Sequence, residues 1–253
     1  MLECHKVSVP GRVQAFTTHV STGSRVHIIG PNGAGKTSLL ARIAGMLDGE
    51  GHINLAGQAL EGITGVQRAR LRGYLCQQSL PVSMMPVFQY LSLHQPAGVD
   101  TALLEQTIAM LTSALHLQDK LCRPVTRLSG GEWQRVRLVA VLLQVWPTLN
   151  PQGTLLLLDE PMNSLDVAQQ QALDGLITQF CASGRTAIIS DHDLNHTLHH
   201  AHQVWLMAKG QVIAAGKRED VMQVNCLTRV FGVNFQMHNV AGRQWLMTTL
   251  SEK

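Results

Sequence analysis

Short runs of apolar residues, each ended by glycine or a polar residue, predict a buried sheet whose strands alternate with helices. The run RVHII (25–29) ends at a glycine, and residues 36–46 then place leucine, isoleucine and methionine at helical spacing. The run LLLL within 154–158 shows no alternation, which is typical of a strand covered on both faces. Beyond it, the pattern predicts a helix over 167–182, a strand over 186–190, a helix over 193–202 and a strand over 204–210.

Two segments have patterns that depart from this alternation of strands and helices. Residues 51–60 alternate apolar and polar positions around a glycine turn, which predicts a solvent-facing antiparallel hairpin, and residues 71–76 predict a further strand. From about Ser79 onwards, prolines separate segments of helical spacing, and no strand pattern recurs before residue 147. The helical segments are 87–95, 101–121 and the helix that opens at Ser129.

Together these patterns predict an α/β fold: a core with a mainly parallel sheet, an antiparallel β subdomain and an inserted α-helical subdomain. The division they predict is 1–78 for the first half of the core with the antiparallel subdomain, 79–147 for the helical subdomain, 148–225 for the second half of the core and 226–253 for a short, strand-containing appendage.

Composition narrows the class of protein. The 253 residues are 45% apolar and 15% charged, which is ordinary for a globular chain with one large core. The net charge is +3, and the charged residues are dispersed along the chain without a run of like charges. The charge pattern therefore gives no reason to require nucleic acid as a partner. Five separated cysteines predict neither a disulfide framework nor a zinc knuckle, and fit a reducing compartment. No stretch reaches the roughly 18 apolar residues that spanning a bilayer needs.

The segment GPNGAGKT (30–37) lies between a predicted strand and a predicted helix, where a phosphate-binding loop (P-loop) belongs. Backbone N–H groups of such a loop cradle a β-phosphate, Lys36 reaches the β- and γ-phosphate oxygens, and the Thr37 hydroxyl ligates Mg²⁺. The alternative is a glycine turn that binds nothing. The predicted nucleotide-binding residues are Gly30, Pro31, Asn32, Gly33, Ala34, Gly35, Lys36, Thr37 and Ser38.

Four further candidates lie at the ends of three predicted strands. Asp159 and Glu160 end the strand at 154–158, so Asp159 suits the Mg²⁺ shell through water and Glu160 suits polarisation of the attacking water. His192 follows the strand at 186–190 and suits the surroundings of the γ-phosphate. Gln77 follows the strand at 71–76 and suits Mg²⁺ or the water, although the adjacent Gln78 offers the same chemistry.

A second array of N–H donors opens the helix at LSGGE, where Ser129, Gly130 and Gly131 precede Glu132. A helix needs only one cap, and one nucleotide does not need two cradles from one chain. We therefore expect two copies to pair head to tail, so that each LSGGE segment closes on the γ-phosphate held by the other copy, with NSLD (163–166) along the seam. The alternative is a capped helix of purely structural importance.

The ordered set of P-loop, Gln77, LSGGE, LLLLDE, NSLD and His192 resembles the ATP-binding cassette (ABC) ATPases over nearly the whole chain. Within that family, LSGGEWQRVRLVAVLLQ and SDHDLNHTLHHAH are similar to ATPase subunits of importers for cobalamin (vitamin B12). The resemblance implies the P-loop NTPase fold, ATP and Mg²⁺ as cofactors, and a homodimer that sandwiches ATP. It also implies an integral membrane permease dimer contacted through 77–95, a periplasmic substrate-binding protein, and a location at the cytoplasmic face of the bacterial inner membrane.

Several alternatives stay open at this point. An iron-chelate or haem importer has a similar ATPase, and a soluble cassette that remodels a nucleic-acid or ribosomal complex is a different class, although this chain has neither a second cassette nor basic arms. A phosphotransferase that uses only the P-loop leaves LSGGE unexplained. SMMPVFQYL (83–91) suits either permease docking or a core.

Three local features also lack a unique interpretation. Many cassettes stack adenine on an aromatic residue before the P-loop, where this chain offers only Phe16, which also suits a core. Asp191 stands where a small residue is common, and we hypothesise that it perturbs the pKa of His192. A histidine cluster has spacings that could bind a metal on one helical face: residues 192, 196, 199, 200 and 202.

Overall fold

The structure, a computed structural model, describes residues 2–77, 80–81 and 84–249. Its strands are β1 (Leu2–Val9), β2 (Val13–Val20), β3 (Arg25–Ile29), β4 (His52–Leu55), β5 (Gln58–Ala59), β6 (Arg72–Leu75), β7 (Leu155–Asp159), β8 (Thr186–Ser190), β9 (Gln203–Ala208), β10 (Gln211–Lys217), β11 (Asn234–Val240) and β12 (Arg243–Thr249). Its α-helices are α1 (Lys36–Ile43), α2 (Gly65–Leu71), α3 (Val87–Ser92), α4 (Thr101–Ala114), α5 (Gly130–Val145), α6 (Val167–Ala182), α7 (Leu194–His200), α8 (Arg218–Val221) and α9 (Val224–Phe231).

The central sheet has six strands in the order β10-β9-β3-β8-β7-β6. All neighbours from β9 to β6 are parallel, and only β10 pairs antiparallel with β9. Alternate leucines of β7 enter different cores, since Leu156 and Leu158 belong to one buried cluster and Leu155 and Leu157 to another. The predicted strand covered on both faces is therefore confirmed.

A second sheet, of order β2-β1-β4-β5, is antiparallel. The predicted hairpin over 51–60 forms its β4-β5 edge, but Ile53 and Leu55 are buried, so one face of the hairpin covers the core. The sequence pattern missed β1 and β2. The reason is visible at Lys6, whose φ of 49° disturbs the strand, so that the buried positions shift from Leu2 and Cys4 to Val7 and Val9.

The segment 79–147 is helical where the structure describes it, with 3₁₀ turns at Gln118–Lys120 and Val125–Arg127 and one isolated bridge between Pro86 and Pro124. Its helices are shorter than predicted. α4 ends at Ala114 rather than 121, and His116 just beyond it has a φ of 51°. Buried residues of α3, α4 and α5 share one hydrophobic cluster with a face of the six-stranded sheet.

The C-terminal appendage contains α9 and the antiparallel hairpin β11-β12. Together with α7 and α8, it forms a third buried cluster around Leu198, Leu227 and Leu246. Among the described residues, none of the helices combines the length and apolar character that spanning a bilayer demands.

Candidate active site

One cavity of about 630 Å³ lies at the carboxyl ends of the parallel strands. Strands β3, β8, β7 and β6 lie side by side and point the same way, so the segments that follow them meet at one edge of the sheet. Those segments carry the P-loop, His192, Glu160 and Gln77. All four line this cavity, which brings together candidates from four separate parts of the sequence.

Glycines give the P-loop its shape. A Cβ atom on Gly30 would lie 2.1 Å from the carbonyl oxygen of Met207 on β9. Gly33 and Gly35 have φ angles of 77° and 100°, in the left-handed region that favours glycine. Since α1 begins directly after Gly35, its unpaired N–H groups lie at the cavity. The other P-loop residues that line the cavity are Asn32, Ala34, Lys36, Thr37 and Ser38.

Lys36 is held over this loop. Its Nζ atom donates hydrogen bonds to the carbonyl oxygens of Gly30 (2.8 Å) and Pro31 (3.3 Å). Burial lowers the pKa of Lys36, while the nearby carboxylates of Glu160 and Asp159 oppose that shift. A cationic donor in this position can move its hydrogen bond from a backbone carbonyl to a phosphate oxygen.

Asp159 is only 2% exposed at the end of β7. Its Oδ1 atom accepts a hydrogen bond from the Ser190 hydroxyl (2.5 Å), whereas Oδ2 is buried with no hydrogen-bond partner of normal geometry in the described part of the chain. Burial raises the pKa of Asp159, and Ser190, Thr37 and Lys36 oppose this by favouring the ionised form. A buried carboxylate oxygen that lacks a well-placed hydrogen-bond donor is suited to ligate a hard cation such as Mg²⁺.

Glu160 is surrounded by donors. Its Oε2 atom accepts hydrogen bonds from the side-chain amides of Asn163 (2.7 Å) and Gln77 (3.3 Å), and its Oε1 atom contacts Nε2 of His192. Burial opposes ionisation, but the contacts with His192, Asn163 and Gln77 hold the pKa of Glu160 below its ordinary value. The carboxylate is therefore ionised at neutral pH and can polarise a water molecule. Gln78, the alternative to Gln77, lies outside the described residues.

Ser129 caps α5 in a reciprocal arrangement with Glu132. The backbone N–H of Glu132 donates to Ser129 Oγ (3.2 Å), and the Ser129 N–H donates to Glu132 Oε2 (2.8 Å). The described residues that line the P-loop cavity do not include Ser129, Gly130 or Gly131. Gly130 instead lines a neighbouring cavity of about 390 Å³ with Gln77 and Glu160.

The two glycines after Ser129 differ in their surroundings. A Cβ atom on Gly131 would lie 2.7 Å from the carbonyl oxygen of Ser164, while one on Gly130 would meet nothing within 4 Å. We expect Gly131→Ala to lower the free energy of unfolding by about 1–3 kcal/mol through overpacking. Gly130→Ala is the matched control and should change it by less than about 1 kcal/mol. Urea unfolding measures both, and equal losses would contradict the close approach to Ser164.

Asp191, which we hypothesised to act on His192, has a carboxylate that contacts the ring nitrogens of His27 and His196 and the Asp193 N–H. The histidines of the predicted cluster contact different partners. Nδ1 of His202 accepts from the Arg25 N–H (3.0 Å), and Nε2 of His199 contacts the Gln244 carbonyl.

Phe16 packs edge-on against Trp205, with ring centroids 5.3 Å apart, as expected of a core residue. The P-loop cavity is instead bordered by Gly11 and Arg12 before the loop and by Lys209 and Gly210 after β9. Sequence reasoning missed all four of these residues, because nothing in the sequence places them beside the P-loop.

Asn163 and Ser190 were also not predicted as contacts of the acidic pair. Ser190 had a detectable signal, since the last residue of β8 lies directly beside Asp159 in the parallel register. Asn163 could also have been predicted from the sequence, because it opens the NSLD segment three residues after Glu160.

The chain is similar to known proteins over most of its length. The family model described as ABC transporter matches residues 13–163. The chain is 56% identical over 248 residues to the vitamin B12 import ATP-binding protein BtuD of Yersinia enterocolitica, covering 98% of each chain. It is 48% identical over 250 residues to the protein of that name in Escherichia coli O157:H7, covering 99% of each. A solved ATP-binding subunit of an ABC transporter aligns with a TM-score of 0.79 at 25% identity, covering 92% of this chain and 93% of that one.

Proposed function

Because the chain belongs to the ABC transporter family, we propose that it hydrolyses ATP to drive the import of vitamin B12 through a separate membrane permease. The convergence of Lys36, Glu160 and His192 on one cavity is the observation that supports ATP hydrolysis best. The choice of vitamin B12 is supported by the relatives that match the chain over nearly its full length.

In this proposal, the P-loop N–H groups and Lys36 bind the β- and γ-phosphates. Thr37, Asp159 and Gln77 would hold Mg²⁺, partly through water, and the chemistry it would supply is neutralisation of phosphate charge. Glu160 orients and polarises the attacking water, and His192 lies beside it to contact the γ-phosphate.

We further propose that two copies pair head to tail around ATP. Ser129, Gly130 and Gly131 would then bind the γ-phosphate held by the other copy. Their absence from the described lining of their own P-loop cavity supports this arrangement. So does the approach of Gly131 to Ser164, because it joins LSGGE to the NSLD segment that the seam requires.

The permease would dock on the segment that follows Gln77. Four large apolar side chains of this segment are exposed, Leu80, Met84, Phe88 and Leu93, with exposed fractions from 55% to 85%. Exposed apolar side chains of this size suit contact with another protein, and we call these four the docking patch. The proposal places the chain at the cytoplasmic face of the bacterial inner membrane, with a periplasmic binding protein delivering the vitamin. We also propose the division of the chain given by the sequence. Residues 79–147 form the helical subdomain between the core segments 1–78 and 148–225, and residues 226–253 form an appendage.

Phe88→Glu tests the docking patch. We expect the variant to bind the permease at least about tenfold more weakly, because a charge replaces an apolar contact, while hydrolysis by the isolated protein stays unchanged. Met247→Glu is the matched control, because it puts the same charge in place of a large apolar side chain of similar exposure on β12, outside the docking segment. Co-purification from membranes measures association. Equal binding by Phe88→Glu and the parent protein would place the permease elsewhere.

Uptake into vesicles tests the whole proposal. The permease should be identified by co-purification from native membranes and reconstituted with this protein and MgATP. We expect labelled cobalamin to enter and hydrolysis to rise with the permease. Entry of a ferric chelate instead would favour the iron-chelate alternative. Stimulation by RNA or DNA without a permease would favour the remodelling class.

A further inference from the structure

A largely buried set of polar side chains lies behind His192, and we call it the Asp191 network. It consists of Arg25 and His27 of β3, Asp174 of α6, Asp191 after β8, and His196 of α7. The described lining of the P-loop cavity includes none of these five residues.

Asp191 fixes the backbone around His192. Its N–H donates to the Ile28 carbonyl (3.0 Å), its Oδ1 atom accepts from the Asp193 N–H (2.9 Å), and its Oδ2 atom contacts Nδ1 of His196. The residue before His192 is thus tied to β3 and to α7, and the residue after His192 is tied to Asp191. His192 itself has a side chain that is 41% exposed.

The network then continues to the strand that carries the P-loop. Nε2 of His196 lies 3.0 Å from Oδ2 of Asp174, and Asp174 pairs with the Arg25 guanidinium. Nε of Arg25 donates to Nε2 of His27 (3.1 Å), and Nδ1 of His27 lies 3.3 Å from Oδ2 of Asp191. The contacts therefore form a closed ring through β3, α6, α7 and the end of β8.

The charges in the ring balance. Since Nε2 of His27 accepts a hydrogen bond, its proton is on Nδ1 and the ring is neutral; burial lowers the pKa of His27 to about 4. Both ring nitrogens of His196 face carboxylates, so both are protonated. Burial opposes this state, but Asp174 and Asp191 raise the pKa of His196 to about 9. Two cations, Arg25 and His196, thus offset two carboxylates.

We propose that Asp191 and His196 are positioning residues, which fix the segment 191–193 relative to β3 and thereby hold His192 against Glu160 at the P-loop cavity. The inference rests on the proposed role of His192 in hydrolysis. Because β3 leads directly into the P-loop, the ring sets the location of His192 relative to the bound phosphates.

Some of these residues also have the side chains that a cation site would use. Two sets have ligand atoms within 4.8 Å of one another, His27 with Asp191 and His196, and Asp174 with His196 and His200. In both sets, however, the carboxylates already contact protonated partners, and Arg25 stands beside Asp174. A divalent ion would have to replace the His196 proton next to a guanidinium, so positioning fits the contacts better than metal binding.

His196→Gln tests the positioning role. We expect kcat for ATP hydrolysis to fall about 10- to 100-fold, because a small displacement of a catalytic group costs this much, while KM for ATP stays unchanged. His199→Gln is the matched control, since His199 lies on the same helix and contacts the Gln244 carbonyl outside the network. Asp191→Ser, which removes only one carboxylate, provides a second variant should His196→Gln fail to fold.

The pH profile separates positioning from a general loss of structure. In the parent protein, kcat should fall as the pH rises through about 9, where His196 loses its proton among Asp191, Asp174, Arg25, His27 and His200. His196→Gln should lack this alkaline limb. Unchanged kcat in both folded variants, a loss confined to KM, or stoichiometric zinc in the purified protein would overturn the inference. Glu160→Gln is measured in parallel, because normal hydrolysis by that variant would instead refute the proposed function.

Discussion

Glu160→Gln is expected to lower kcat for ATP hydrolysis by at least about 100-fold while leaving ATP bound. The amide keeps the size of the side chain but loses the charge that polarises water. In the structure, His192, Asn163 and Gln77 all contact this carboxylate and stabilise its charge. Its removal therefore changes all three contacts. With hydrolysis blocked, the ATP-bound protein should accumulate as a dimer, which size-exclusion chromatography with MgATP can measure.

Glu105→Gln is the matched control for this experiment. Glu105 is exposed on α4, and the same carboxylate-to-amide change there should leave hydrolysis intact. A Glu160→Gln protein that stays monomeric at saturating ATP would contradict the shared-site arrangement. One that hydrolyses ATP normally would contradict the role given to Glu160.

Lys36→Ala is expected to weaken ATP binding by about 10- to 100-fold, because hydrogen bonds to charged groups contribute about 1.5–3 kcal/mol. The lysine is only 6% exposed and already has two acceptors on the loop, so its loss should act on nucleotide affinity first. Titration with ATP by calorimetry measures this effect.

Lys217→Ala provides the control for that change, since Lys217 is exposed at the end of β10. It should bind ATP like the parent protein. Normal affinity and normal hydrolysis in Lys36→Ala would show that residues 30–37 are not the phosphate-binding loop.

The positions of Lys36, Gln77, Glu160 and His192 were predictable because each lies in a segment that follows a strand. A parallel sheet brings the carboxyl ends of its strands to one edge, so motifs far apart in sequence can be placed together without any knowledge of packing. The positions of Lys36, Gln77, Glu160 and His192 around one cavity agree with that reasoning. Their roles remain predictions for the variants above.

Contacts made by packing were beyond the reach of the sequence. Asp174 lies in the middle of α6, where a single carboxylate is typical of a solvated face, and only the packing of α6 against β3 and α7 brings it to Arg25 and His196. The helix α2 was overlooked for a different reason. Thr64 and Gln67 form a capping box that the sequence did display, but the helix has only seven residues and a short apolar pattern.

Helix ends were the least predictable feature. α1 was expected to continue to residue 46, but it stops at Ile43, and Gly45 beyond it has a φ of 66°. A left-handed glycine ends a helix whatever the apolar pattern that follows.

The order of strands in the central sheet also sets a distance. The P-loop follows β3 and Glu160 follows β7, with β8 between them. Neighbouring strands lie about 4.8 Å apart, so the two loops start about 10 Å from each other. That gap is wide enough for a terminal phosphate and one water molecule in line. The strand spacing therefore fixes the separation between the starts of the two loops. Substitutions in the loops can change the chemistry of the cleft without changing this separation.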